Sequence, residues 1–111
     1  MRQALLLLLL LAVPAAGAAA DPARVEVKIT DAGFEPREIT ARKGQPLAIT
    51  FLRTTERTCI KAIDIPAERV KGFDLPLNKP VTLTITPQRA GVEAFHCTAM
   101  AMGNGRIVVK E

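Results

Sequence analysis

The chemistry available to this chain is concentrated in four sulfur-bearing side chains, Cys59, Cys97, Met100 and Met102. Three of them share the run Cys97-Thr98-Ala99-Met100-Ala101-Met102-Gly103-Asn104-Gly105, whose other residues are small. Methionine is most often a core filler. Here the Ala and Gly neighbours offer little surface to pack against, so the run reads as one built to present sulfur. Thiolate and thioether are soft donors that select Cu(I) over hard cations. Zinc sites take Cys and His without Met. Calcium and magnesium need clustered oxygen ligands, and the carboxylates of this chain are dispersed.

Other chemistries find less support. There is no Ser/His/Asp or Cys/His arrangement with an orienting group, no phosphate-cradling glycine loop and no paired-carboxylate signature, so no enzymatic activity is expected. The net charge of +4 comes from 15 Lys and Arg against 11 Asp and Glu. With no block of five like charges, that reads as a solvated surface, and no nucleic-acid partner is expected. Arg53, Arg57 and Lys61 flank Cys59 and read first as a solvated loop.

Residues 1–20 read as a secretory signal peptide: Arg2 near the start, an apolar run from Ala4 to Val13, then Pro14 and the small-residue end Ala18-Ala19-Ala20. Ten apolar residues are too few to cross a bilayer, which takes about twenty, so no stable span is expected after cleavage. The expected domain is residues 21–111, with a periplasmic or secreted location. Export matters for the two cysteines, because an oxidising compartment favours a Cys59–Cys97 disulfide. A metal-free interaction domain carrying that disulfide stays open as a reading.

The elements that must position these residues are strands. Val25, Val27 and Ile29 alternate with polar neighbours, as do Leu47, Ile49 and Phe51, and Val81, Leu83 and Ile85. Further short strands are expected at Ile39–Arg42, Ile60–Ile65, Val92–Cys97 and Arg106–Lys110, with Phe34-Glu35-Pro36 as an irregular or edge segment. Ala67–Leu77 has no clean period, and a single helical turn fits Ala67–Lys71. Seven or eight short strands at about ten-residue spacing predict an all-β sandwich. Phe34, Phe51 and Phe95 are the expected aromatic core. Strand alternation also places His96 and Cys97 on opposite faces.

Taken together, Gly33-Phe34-Glu35-Pro36, Lys43-Gly44 before Leu47-x-Ile49-x-Phe51, and Gly91-Val92-Glu93-Ala94-Phe95-His96-Cys97 followed by the methionine loop and Gly105-Arg106-Ile107-Val108-Val109 resemble the cupredoxin superfamily. The similarity spans residues 24–110. Its nearest flavour is the small exported domain in which Cys replaces the first His ligand. The resemblance implies a Greek-key β-sandwich of seven to eight strands with copper at one end. It puts Cys59 at the first-ligand position, makes Cys97 the thiolate, and places Met100 where a blue-copper protein has its second His, with Met102 as a candidate for the remaining sulfur. Two departures stand out. A blue-copper site uses two imidazoles, and His96 is the only histidine. Glu93 stands where cupredoxins often carry an aromatic residue. The expected role is to hold Cu(I) and exchange it with a copper-donor or copper-acceptor protein. A cupredoxin-type electron carrier, with imidazole from His96 or a second subunit, is the rival within the same fold.

Overall fold

The structure is a computed structural model and describes residues 22–99 and 104–111. Nine strands follow in order: β1 (Ala23–Thr30), β2 (Gly33–Glu35), β3 (Glu38–Arg42), β4 (Leu47–Arg53), β5 (Ala62–Ile65), β6 (Val70–Asp74), β7 (Val81–Ile85), β8 (Gly91–Cys97) and β9 (Gly105–Lys110). They form two sheets, one ordered β2-β1-β4-β7 and the other β3-β9-β8-β5-β6. β1 runs parallel to β4, and β3 parallel to β9; the other neighbours are antiparallel.

Period-two alternation explains why these segments are strands and which face each one buries. Val27 and Ile29 on β1, with Leu47, Ile49 and Phe51 on β4, line the inner face of the first sheet. Ile39, Ile63, Ile65, Phe95, Cys97, Ile107 and Val109 line the second. The two inner faces meet in one core, as aligned sandwiches do. Phe34 and Phe95 meet edge to face at 4.7 Å between ring centroids, and Phe51 lies 6.4 Å from Phe95. The fourth phenylalanine, Phe73, is partly buried and lies 6.1 Å from Phe51.

The all-β sandwich expected from the sequence is the observed fold, with β2 as the short edge strand at Phe34. The difference lies at Ala67–Leu77. A 3-10 turn occupies Pro66–Glu68, and Val70–Asp74 is a full strand at the sheet edge. Its alternation is hidden because the strand carries a bulge. Register against β5 runs Ile63↔Phe73 and then Ile65↔Val70, so Lys71 and Gly72 together face Asp64. Gly72 sits at φ +66°, a backbone conformation that a bulge demands and glycine accepts without strain.

Candidate metal centre

Cys97 is the last residue of β8 and shares the inward parity of Phe95, so its side chain is buried at 1% exposure. Cys59 lies in the loop between β4 and β5 and is exposed. The two meet at this end of the sandwich: the Cys97 thiol donates to the Cys59 carbonyl at 3.1 Å. That carbonyl also accepts the Lys61 amide at 3.0 Å, which closes a tight three-residue turn that begins at Cys59. Both cysteines are free thiols. Met100 and Met102 lie outside the described residues.

His96 is half-buried and has the parity opposite to Cys97, as alternation requires. Its Nδ1 lies 3.0 Å from the Cys97 carbonyl oxygen, and its strand partner is Asp64. The imidazole is therefore on the outer face of the sheet, behind the thiol. Among the described residues, no three His, Cys, Asp or Glu side chains gather as a metal cage. What this end of the fold supplies is one buried sulfur and one exposed sulfur-bearing residue on facing segments. Neither thiol is a hard ligand, so the pair suits a soft monovalent ion.

The loop that carries Cys59 is tied down by backbone and arginine. Thr54 N donates to Ile29 O at 3.0 Å, and Asn78 N donates to Arg53 O at 2.7 Å. Arg53 Nε donates to Leu75 O at 2.7 Å and its Nη1 to Thr55 O at 3.2 Å, joining the 75–77 segment to the start of the loop. Arg57 instead reaches out to Asp31 at 2.7 Å, with both side chains mostly exposed. Of the flanking basic residues, Arg53 is thus a structural tie, while Arg57 is a solvated ion pair. Arg53→Ala should lower unfolding free energy by about 1–2 kcal/mol, because two carbonyls lose a charged donor. Arg57→Ala should stay within about 0.5 kcal/mol. Denaturant midpoints compare the two, and equal losses would refute this division of roles.

On the outer face, Asp64 accepts Thr98 Oγ1 at 2.6 Å and Gly72 N at 2.8 Å through one carboxylate oxygen. The Thr98 hydroxyl, then the Gly72 amide, hold this carboxyl below the usual carboxylate range. Sequence reasoning did not single out Asp64, since its partner Thr98 lies far along the chain. The one local signal was Gly72 inside an otherwise strand-like stretch, which marks a bulge.

A second titratable cluster lies at the opposite end of β8. Glu93 shares the inward parity of Phe95 and Cys97, and its Oε1 is buried with no donor reaching it among the described residues. The neighbouring carboxyl is that of Glu68, at the end of the 3-10 turn. Burial, then the Glu68 carboxyl, push the Glu93 carboxyl up to about 7. Two neighbouring carboxyl groups repel when both are ionised, which favours the protonated form of Glu93. They line a cavity of about 600 Å³ together with Arg69 and Arg89. The cavity is remote from both cysteines and is no part of the sulfur site.

The family profile of the cupredoxin-like domain matches residues 3–109. No curated protein matches the chain significantly. Among solved structures, a copper-binding protein in its apo form, determined by NMR, is 30% identical; the match covers 78% of this chain and 86% of that one, at a TM-score of 0.71. The metal-binding domain of the Streptococcus pneumoniae D39 Cu(I)-exporting P-type ATPase CopA, solved with Cu(I), is also 30% identical, covering 79% and 85% at a TM-score of 0.67. A reduced amicyanin variant, at 22% identity, 84% and 90% coverage and a TM-score of 0.52, shares the fold. Fold, core and full-length profile agree, and the chain belongs to the cupredoxin-like domain family.

Proposed function

We propose that this protein binds copper as Cu(I) through sulfur, and holds it or passes it to a copper-donor or copper-acceptor protein. The observation that carries this reading is the pairing of a buried, strand-fixed Cys97 thiol with the exposed Cys59 turn at one end of the sandwich. Cys97 and Cys59 supply the thiolates, and Met100 and Met102 supply thioethers. Similarity to a copper-binding protein and to a Cu(I)-bound ATPase domain supports the choice of metal.

The donor set favours retention and exchange over electron transfer. Soft sulfur ligands stabilise the reduced ion, and an electron-transfer centre needs a second imidazole that one chain does not contain. His96 lies behind the thiol and takes no part. Taking up a metal requires Cys97 to lose its proton, which ends its hydrogen bond to the Cys59 carbonyl; the Lys61 amide continues to hold that carbonyl. Burial of Cys97 keeps one ligand fixed, while exposure of Cys59 gives a partner's ligand a place to attack. Residues 1–20 act as the export signal in this reading, placing the domain in the periplasm or outside the cell. Among the described residues, no helix is long and apolar enough to cross a membrane.

The test is an anaerobic Cu(I) titration against a competing chelator, with thiols counted on reduced and air-oxidised protein. The expected result is two free thiols after mild reduction and binding that competes with the chelator. Binding should be lost in Cys97→Ser and weakened in Met100→Leu. A disulfide that resists mild reduction, with no competition for Cu(I) once reduced, would replace this reading with a metal-free domain. Unchanged affinity in Cys97→Ser would remove Cys97 from the site.

A further inference from the structure

The residue that follows Cys97 is held more firmly than strand pairing alone requires. Cys97 pairs with Ile63 of β5, and the Thr98 amide donates to the Ala62 carbonyl at 2.9 Å. The Thr98 hydroxyl then makes a 2.6 Å bond to Asp64 Oδ1. By alternation Asp64, His96 and Thr98 all lie on the outer face, directly behind the inward-pointing Cys97. The same Asp64 oxygen accepts the Gly72 amide at 2.8 Å. That amide is turned toward Asp64 by the β6 bulge, where Lys71 and Gly72 both face one residue of β5. A single carboxylate oxygen therefore ties the end of β8, β5 and β6 together just past Cys97.

We propose that Asp64 is a positioning residue for the sulfur site: anchored on the Gly72 amide, its carboxylate clamps Thr98 and so fixes the corner from which Cys97 presents its thiol. The assignment rests on the copper reading for its purpose, though not for its geometry. Cys97 is held from the front by the Cys59 carbonyl and from behind by the clamp. Taking up a metal ends the front bond, because the thiol proton leaves. The rear clamp involves no ligand atom and persists, so together with the β5–β8 pairing it keeps the first thiolate in place while other ligands exchange. Groups that orient a metal ligand commonly govern affinity by about 10–100-fold. Bulges cluster beside functional sites because they re-aim backbone groups, and this one aims an amide at the clamp.

The experiment uses purified protein and two readouts. In the apo protein, alkylation by a small thiol reagent is followed separately at Cys97 and at Cys59, the exposed cysteine serving as internal reference. Asp64→Ala and Thr98→Val should each raise the Cys97 rate about tenfold or more with the Cys59 rate unchanged. Asp64→Asn and Thr98→Ser keep the acceptor and the hydroxyl, and should restore slow alkylation. In the Cu(I) competition titration, the first pair should bind about 10–100-fold more weakly, and the second pair as the wild type does. Thr98→Val decides the matter if Asp64→Ala does not fold. Wild-type Cys97 rates in Asp64→Ala and Thr98→Val, or equal rises at both cysteines, would overturn the clamp. Asp64→Asn behaving as Asp64→Ala would overturn the acceptor geometry. If the wild type takes up no Cu(I), the copper reading fails, while the alkylation rates still decide whether Asp64 positions Cys97.

Discussion

Gly105→Ala should destabilise the protein by about 3 kcal/mol, at the upper end of overpacking costs, although it adds only one methyl group. Gly105 opens β9 directly opposite Phe95, is itself buried, and a β-carbon placed there would overlap the Phe95 ring. The ring has nowhere to go. Phe95 has no exposed surface, is packed edge to face on Phe34 at 4.7 Å, and is backed by Phe51 at 6.4 Å. Overpacking of this kind displaces core side chains rather than surface ones. Phe95→Ala should cost about 3–5 kcal/mol as a core truncation. The decisive measurement is the double-mutant cycle by urea denaturation. Once Phe95 is alanine, the Gly105 methyl enters space the ring has vacated, and the second substitution should cost little or be favourable. Additive losses, or Gly105→Ala within about 0.5 kcal/mol of wild type, would mean that the ring does not lean on the glycine.

Glu93→Gln should change how stability depends on pH. The folded protein holds the Glu93 proton up to about 7, while the reference carboxyl releases it at 4.5. Folded molecules therefore bind the extra proton between those values. The stabilisation is complete below about 4.5 and disappears as pH rises through about 7. The group is only partly buried, and Arg69 and Arg89 line the same cavity, so solvent and countercharge reduce the effect to about 1–2 kcal/mol between pH 5 and pH 8. Glutamine can donate to the Glu68 carboxylate at every pH, so the variant should lose little over that interval and exceed the wild type at pH 8. Parallel pH profiles of the denaturant midpoint in the two proteins would contradict the raised Glu93 carboxyl. Asp64 works in the opposite window: its lowered carboxyl adds stability above the ordinary value of 3.8 and loses it as pH falls further. The two carboxyl groups can thus be separated by titration alone.

The sandwich was legible because its inner faces are written as alternation. Val27 and Ile29, Leu47, Ile49 and Phe51, and Phe95 and Cys97 each declare a buried side with no help from partners. The same parity rule placed His96 and Cys97 on opposite faces. Val70–Asp74 was missed because two of its residues answer one on β5, and a bulge erases the period that marks a strand. Asp64 and Arg53 escaped for a different reason. Their partners are Thr98, the Gly72 amide and the Leu75 carbonyl, and nothing local announces which backbone groups a distant turn will bring within reach. Cys59 and Cys97 could be named from residue type, but the thiol-to-carbonyl contact between their segments depends on how the loop after β4 closes over the sheet.

The placement of β9 bears on the order of assembly. It is the last described strand in chain order, yet it sits between β3 and β8, with Ile107 beside both Ile39 and Glu93. Until it docks, β3 has no neighbour in its sheet and Phe95 has no glycine to rest on. Pairings this distant must overcome loop-closure entropy before they return any contact, which puts sandwich folding in roughly the millisecond-to-second range. The corner at Cys97 needs only β5, β6 and the end of β8, but the Phe95 layer two residues away closes only when β9 docks, so the core beside that thiol is the last part of the sandwich to consolidate.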